Sequence, residues 1–167
     1  MMITEIADDS KVVLMCGVSG SGKTYYSYKL EKKGYERLSP DELIWNRYGA
    51  GFTSLPFDQQ KKFFIDAAHE ILDMTVGLVK AGKKVVVDST MCKRFKRDEM
   101  RKACRPLGVE PLIVYMEAPY PLLEQRLASR KGSGPNDLIV SKEQLKTFYS
   151  NFEIPQEDEN FIVVSQK

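Results

Sequence analysis

The stretch Lys11-Val-Val-Leu-Met-Cys-Gly-Val-Ser-Gly-Ser-Gly-Lys-Thr24 constrains this chain more than any other. An apolar run leads into a glycine-rich turn, and a segment free of helix breakers follows, so the order is buried strand, loop, helix. Gly17 and Gly22 bracket the pattern G-x-x-x-x-G-K-T. A loop of this kind, here Gly17, Val18, Ser19, Gly20, Ser21 and Gly22, turns its backbone N–H groups around a phosphate chain. Glycine allows the φ > 0 geometry this needs. The helix that follows aims its positive dipole end at the same anion. Lys23 adds a point charge for the β- and γ-phosphates, and Thr24 places a hydroxyl for Mg²⁺. The expectation is a nucleoside triphosphate site with Mg²⁺.

Beyond Thr24 the sequence alternates helix and strand. A first helix runs to Lys33 and is stopped by Gly34, and Tyr35 to Leu38 is a short strand. Ser39-Pro-Asp-Glu42 marks a helix start, with Ser39 as N-cap, Pro40 in the first turn and Glu42 completing a capping box. That helix should end by Gly49-Ala-Gly51, a flexible joint. From Phe57 to Lys80, Phe64, Ala67, Ile71, Met74 and Leu78 recur by threes and fours and predict one buried face of a long helix. Lys62, Asp66, His69 and Asp73 form a polar stripe, so the lone histidine reads as solvated rather than as a general base. Lys83 to Asp88 is a β-branched strand of the kind covered on both faces.

Cys92 to Leu107 is a helix carrying Lys93, Arg94, Lys96, Arg97, Arg101, Lys102 and Arg105. It reads as a solvated basic face, with Phe95, Met100, Ala103 and Leu107 turned to the core. A strand (Leu112 to Met116), a helix (Tyr120 to about Arg130) and a loop mobile by composition (Lys131 to Asp137) follow. Ser141-x-x-Gln144 is a second capping box, opening a helix to about Asn151. An acidic connector, Ile154 to Glu159, leads to a final strand, Phe161 to Val164.

This alternation predicts an α/β fold: a P-loop NTPase three-layer α/β/α sandwich with a mainly parallel, roughly five-stranded sheet and a helical lid. Residues 1–167 form one domain on this reading, with the lid at approximately 120–140. The 167 residues, 43% of them hydrophobic, suffice for one core. Net charge +2 is lower than a dedicated nucleic-acid binder shows, so such a partner is not favoured. An odd cysteine count without C-x-x-C spacing and an acidic N-terminus unlike a signal peptide point to the cytoplasm. No run reaches membrane-spanning length, and nothing indicates oligomeric state.

Ligands of parallel sheets bind at the carboxyl ends of the strands, so the turns after Cys16, Leu38 and Asp88 should face one cleft. Asp88 can hold Mg²⁺ opposite Thr24, or merely cap the next turn. Asp41 can take a proton from an acceptor hydroxyl, or merely answer the helix dipole in a first turn. Arg126 and Arg130, four apart ahead of the loop, suit a lid closing positive charge over the γ-phosphate; an exposed basic face is the other reading.

With these residues assembled, the chain resembles the small P-loop kinases that include the kinase domain of bacteriophage-type polynucleotide kinases. Zeta toxins and chloramphenicol phosphotransferase are relatives of that build. The resemblance spans Lys11 to Glu159. It rests on Gly17 to Thr24, Leu38-Ser-Pro-Asp-Glu-Leu43, Val85-Val-Val-Asp-Ser-Thr90, and Arg126-Leu-Ala-Ser-Arg130 with the Gly-rich loop and Val140 after it. It implies that Asp41 activates the acceptor hydroxyl and that Arg130 contacts the transferring phosphate. Polynucleotide kinases of this type hold the acceptor strand with an arginine three residues past the aspartate. Ile44 stands there here, with Arg47 one turn on. The resulting expectation is phosphoryl transfer from ATP to a hydroxyl of a small-molecule or nucleotide acceptor. A 5′-hydroxyl polynucleotide kinase is the alternative. A non-catalytic nucleotide switch ranks third, because Asp88-Ser-Thr-Met91 replaces D-x-x-G and N-K-x-D is missing.

Overall fold

The computed structural model describes residues 9–166. In chain order it contains β1 (Val12–Cys16), α1 (Lys23–Lys32), β2 (Glu36–Leu38), α2 (Pro40–Tyr48), a 3₁₀ turn (Gly49–Ser54) and α3 (Phe57–Lys80). Then come β3 (Val85–Val87), α4 (Arg94–Cys104), a second 3₁₀ turn (Arg105–Leu107), β4 (Leu112–Glu117), α5 (Tyr120–Ala128), α6 (Lys142–Ser150) and β5 (Phe161–Ser165). The strands form one sheet in the order β2-β3-β1-β4-β5, every neighbouring pair parallel, with Leu14 between Val87 and Ile113.

Central β1 is buried throughout, and its side chains alternate between two cores. Val12, Leu14 and Cys16 pack with Ile71 of α3 and Met100 and Cys104 of α4. Val13 and Met15 pack with Tyr26 and Leu30 of α1. This is the expected α/β/α sandwich. Burial pushes the Cys16 thiol up to about 12, so it serves as packing. Because all strands run the same way, their carboxyl ends meet on one rim. No described helix is long and apolar enough to cross a membrane.

The structure differs from the pattern in several elements. Gly49 to Gly51 is no flexible joint: the chain winds into a 3₁₀ turn pinned by Phe52, buried against Ile44 and Ala67. On α3, Met74 is exposed and Thr75 takes the core position, its hydroxyl satisfied by Ile71 O at 2.7 Å. On α4, Phe95 faces solvent while Arg97 is wholly buried. Its guanidinium donates to Glu159 at 2.6 and 3.2 Å and to Met91 O at 2.8 Å. A bidentate partner lets a cation replace an aromatic ring inside, and it turns the acidic connector into part of the core.

Candidate active site

The rim holds a cavity of about 840 Å³ lined by the loop after β1, the start of α2, the turn after β3, and residues before and after α6. The turns after Cys16, Leu38 and Val87 therefore do share one cleft. Gly17 has no room for a side chain: a Cβ there would lie 2.9 Å from Met116 O and 2.5 Å from Ser21 Oγ. Gly22, at φ 92°, is the N-cap of α1 and provides no side-chain cap. The N-termini of α2 and α6 are closed by Ser39 and Ser141, whereas the first-turn amides of α1 open toward the cavity. Lys23 is buried with Nζ on Val18 O at 3.0 Å, and burial lowers its pKa.

Asp88 is a buried hub. Its Oδ2 accepts from Thr24 Oγ1 at 2.9 Å, Ser27 Oγ at 3.2 Å and Arg37 Nη2 at 2.6 Å. It does not cap α4, whose N-cap is Lys93 without a side-chain bond. A hydroxyl and a carboxylate oxygen in contact are hard donors that fit Mg²⁺ with nucleotide phosphates. Sequence reasoning missed Arg37, which also donates to Glu42 at 2.5 Å and to Ser27 at 2.9 Å. Glu42 thus leaves the capping box half made: Ser39 Oγ accepts from Glu42 N at 3.3 Å, but the Glu42 carboxylate turns to the nearby cation. A lone arginine inside a three-residue strand was the available signal.

Asp41 sits in the first turn of α2 and lines the cavity. It has no side-chain hydrogen bond or ion pair among the described residues. Burial, with the Asp88 charge adding to it, raises its pKa to about 6 against the opposing pull of Lys23 and Arg130. At neutral pH it is an ionised, unengaged carboxylate.

The two arginines of the expected lid do different things. Arg126 Nη1 donates to Gly20 O at 2.9 Å and to Gln166 Oε1 at 2.8 Å, while Gln166 Nε2 donates to Ser21 O. Arg126 therefore braces the glycine loop. Arg130 lies past the end of α5, which stops at Ala128, and lines the cavity with Nη1 on Leu138 O at 3.1 Å. The loop between is not held by composition alone: Asp137 Oδ2 collects Lys131 N and Ser133 N at 3.1 Å and Ser133 Oγ at 2.7 Å. Gln166 had no motif to announce it; only the pairing of β5 beside β4 brings it to the loop.

A family model described as an AAA domain matches residues 12–155. The chain belongs to this AAA domain family. No curated protein matches it. Among solved structures it is similar to an unliganded sugar kinase from Janibacter sp. HTCC2649, at 19% identity and TM-score 0.70 over 93% of this chain and 85% of that one. It is similar to a gluconokinase from Sinorhizobium meliloti 1021, at 22% and 0.64 over 92% and 81%. It is also similar to Chaetomium thermophilum Kti12 in complex with ADP-AlF3, at 12% and 0.68 over 92% and 88%. At these identities the likeness is one of fold, a kinase-like P-loop fold.

Two expectations about cations fail in this AAA domain. Arg47 points away to Glu70 at 2.7 Å, both exposed, and lies outside the cavity lining, so it does not stand in at position 44. Ile44 itself is buried. In the basic run of α4, Arg97 and Arg101 are buried rather than solvated, and most of the other cations are spent on surface carboxylates. Arg97 pairs with Glu159, Arg101 with Asp98 and Glu110, Arg105 with Glu110, Arg94 with Asp98 and Asp158, and Lys93 with Glu153. His69 is exposed on α3, away from the cavity.

Proposed function

We propose that this AAA domain is a Mg²⁺-dependent phosphotransferase that moves the γ-phosphate of ATP to a hydroxyl of a small-molecule or nucleotide acceptor. The observation that carries the reading is Asp41, an unengaged carboxylate with its pKa raised to about 6, in the same cavity as the uncapped glycine loop. A protein that only binds nucleotide needs no such group. A general base works best with a pKa near the operating pH. The fold shared with proteins named a sugar kinase and a gluconokinase supports an acceptor rich in hydroxyls.

On this reading, the amides of Gly17 to Gly22 and the Lys23 ammonium hold the β- and γ-phosphates. Thr24 and Asp88 would hold Mg²⁺, which supplies positive charge against the phosphate oxygens. Arg130 faces the transferred phosphoryl group, and Arg126 keeps the loop in shape. Asp41 removes the acceptor O–H proton. The freed oxygen bonds to the γ-phosphorus as the bond to the β,γ-bridging oxygen breaks, and that electron pair leaves with ADP. Residues 120–140 serve as the lid of a one-domain cytoplasmic enzyme. A polynucleotide 5′ end as acceptor is disfavoured by the burial of Ile44 and the outward pairing of Arg47.

The test is Asp41→Asn with acceptor-dependent ADP release as the readout. Nucleotide affinity should hold while turnover falls by about 10²–10⁴-fold. Unchanged turnover would return Asp41 to the helix dipole alone.

A further inference from the structure

Proceeding from the transferase reading, we propose that the acceptor of this AAA domain is a small polyhydroxy compound bearing an anionic group, carboxylate or phosphate, and that Lys96 receives that group. Lys96 lies in the first turn of α4 and lines the same cavity as Asp41. Five neighbouring cations of that segment, Lys93, Arg94, Arg97, Arg101 and Arg105, are matched by carboxylates. The Lys96 side chain has no hydrogen bond or ion pair among the described residues, although the residue is only partly exposed. A partly buried lysine that lines a ligand cavity without a counterion is matched by an anion that arrives with the ligand.

The surroundings specify the rest of the ligand. Ser89 and Thr90 bring hydroxyls into the cavity from the turn after β3, where they can meet sugar-type hydroxyls. Phe52 and Phe64, in edge-to-face contact, add an apolar part to the lining. A cavity of about 840 Å³ is the size of a small-ligand site, roughly 300–1,000 Å³, and has to take the nucleotide as well. With Lys93, Arg94, Arg97, Arg101 and Arg105 each spent on a carboxylate, little free positive charge is left beside the cavity for a polymer to follow.

The experiment fills the glycine loop with Mg²⁺ and a non-hydrolysable ATP analogue, then titrates four probes calorimetrically: gluconate, glucose 6-phosphate, glucose, and a short single-stranded oligonucleotide with a 5′-hydroxyl. At least one small anion should bind about tenfold or more tightly than glucose, the size expected of a charge-assisted hydrogen bond. Whether carboxylate or phosphate is taken reads out from the first two probes. Lys96→Gln should erase the preference and Lys102→Gln, on the exposed side of α4, should keep it. Glucose binding as tightly as both anions, no probe binding, a preference that survives Lys96→Gln, or the oligonucleotide binding tightest would each overturn the proposal. Stabilisation by the analogue, measured in the same samples, keeps the two readings apart: if the analogue does not stabilise the protein, the transferase reading itself fails.

Discussion

On one wall of the cavity the chain offers backbone: the Gly17 to Gly22 loop and the uncapped start of α1, with Lys23 as its single buried charge. Another part of the lining is made of side chains collected from far apart, Asp41 from α2, Phe64 from α3, Ser89 and Thr90 after β3, and Lys96 from α4. The first wall is contiguous in sequence and depends on φ angles. The second is braced by ion pairs and hydrogen bonds, chiefly Arg37 between Glu42 and Asp88, and Arg97 between Glu159 and Met91 O. A phosphate is the same in every nucleotide, so a fixed backbone cradle suffices for it. An acceptor differs from one enzyme to the next, and side chains on a braced scaffold can change without rebuilding the loop.

Mutations can separate the two walls. The largest effect is expected from Lys23→Ala, which should abolish ADP release yet leave thermal stability unchanged or higher, because burial already disfavours that ammonium. Retained turnover would remove the loop from the chemistry. Arg97→Ala strikes the scaffold of the other wall. It strands the wholly buried Glu159 carboxylate and frees Met91, held at φ 46°, and should cost about 3–5 kcal/mol in chemical denaturation. A loss no larger than an exposed pair gives, about 1 kcal/mol or less, would show that the second wall stands without its ion pairs.

The smallest effect concerns pH. A carboxyl that holds its proton more tightly when folded loses stability as pH rises from about 3.8 through about 6, and the loss persists above. Asp41→Asn should therefore raise the melting temperature at pH 7.5 relative to the parent and make no difference at pH 3.5. In the parent, kcat/KM should climb with pH to a plateau above about 6, since only the ionised carboxylate accepts a proton. A pH-independent rate between 5 and 7.5 would assign the base elsewhere.

The strand–loop–helix start, the five strands in their order along the chain and the capped start of α2 were legible because each is written in local terms: β-branched runs, a glycine spacing, Ser-Pro at a helix start. Asp41, Asp88, Lys23 and Thr24 were reachable the same way, and the structure puts them on one cavity. Glu42 was misread because a capping box and a salt bridge use the same residue type. Phe95 and Arg97 were exchanged because periodicity assumes that charge stays outside, and Glu159, more than sixty residues on, reverses that assumption.

Sequence alone determined what each short segment would do with its own backbone, since hydrogen bonds and φ angles are settled within a few residues. Tertiary structure alone decided which cations were spent on carboxylates and which was left facing the cavity. Arg97 and Lys96 are adjacent in the chain and chemically alike, but a counter-charge brought in from a distant strand end reaches only the first.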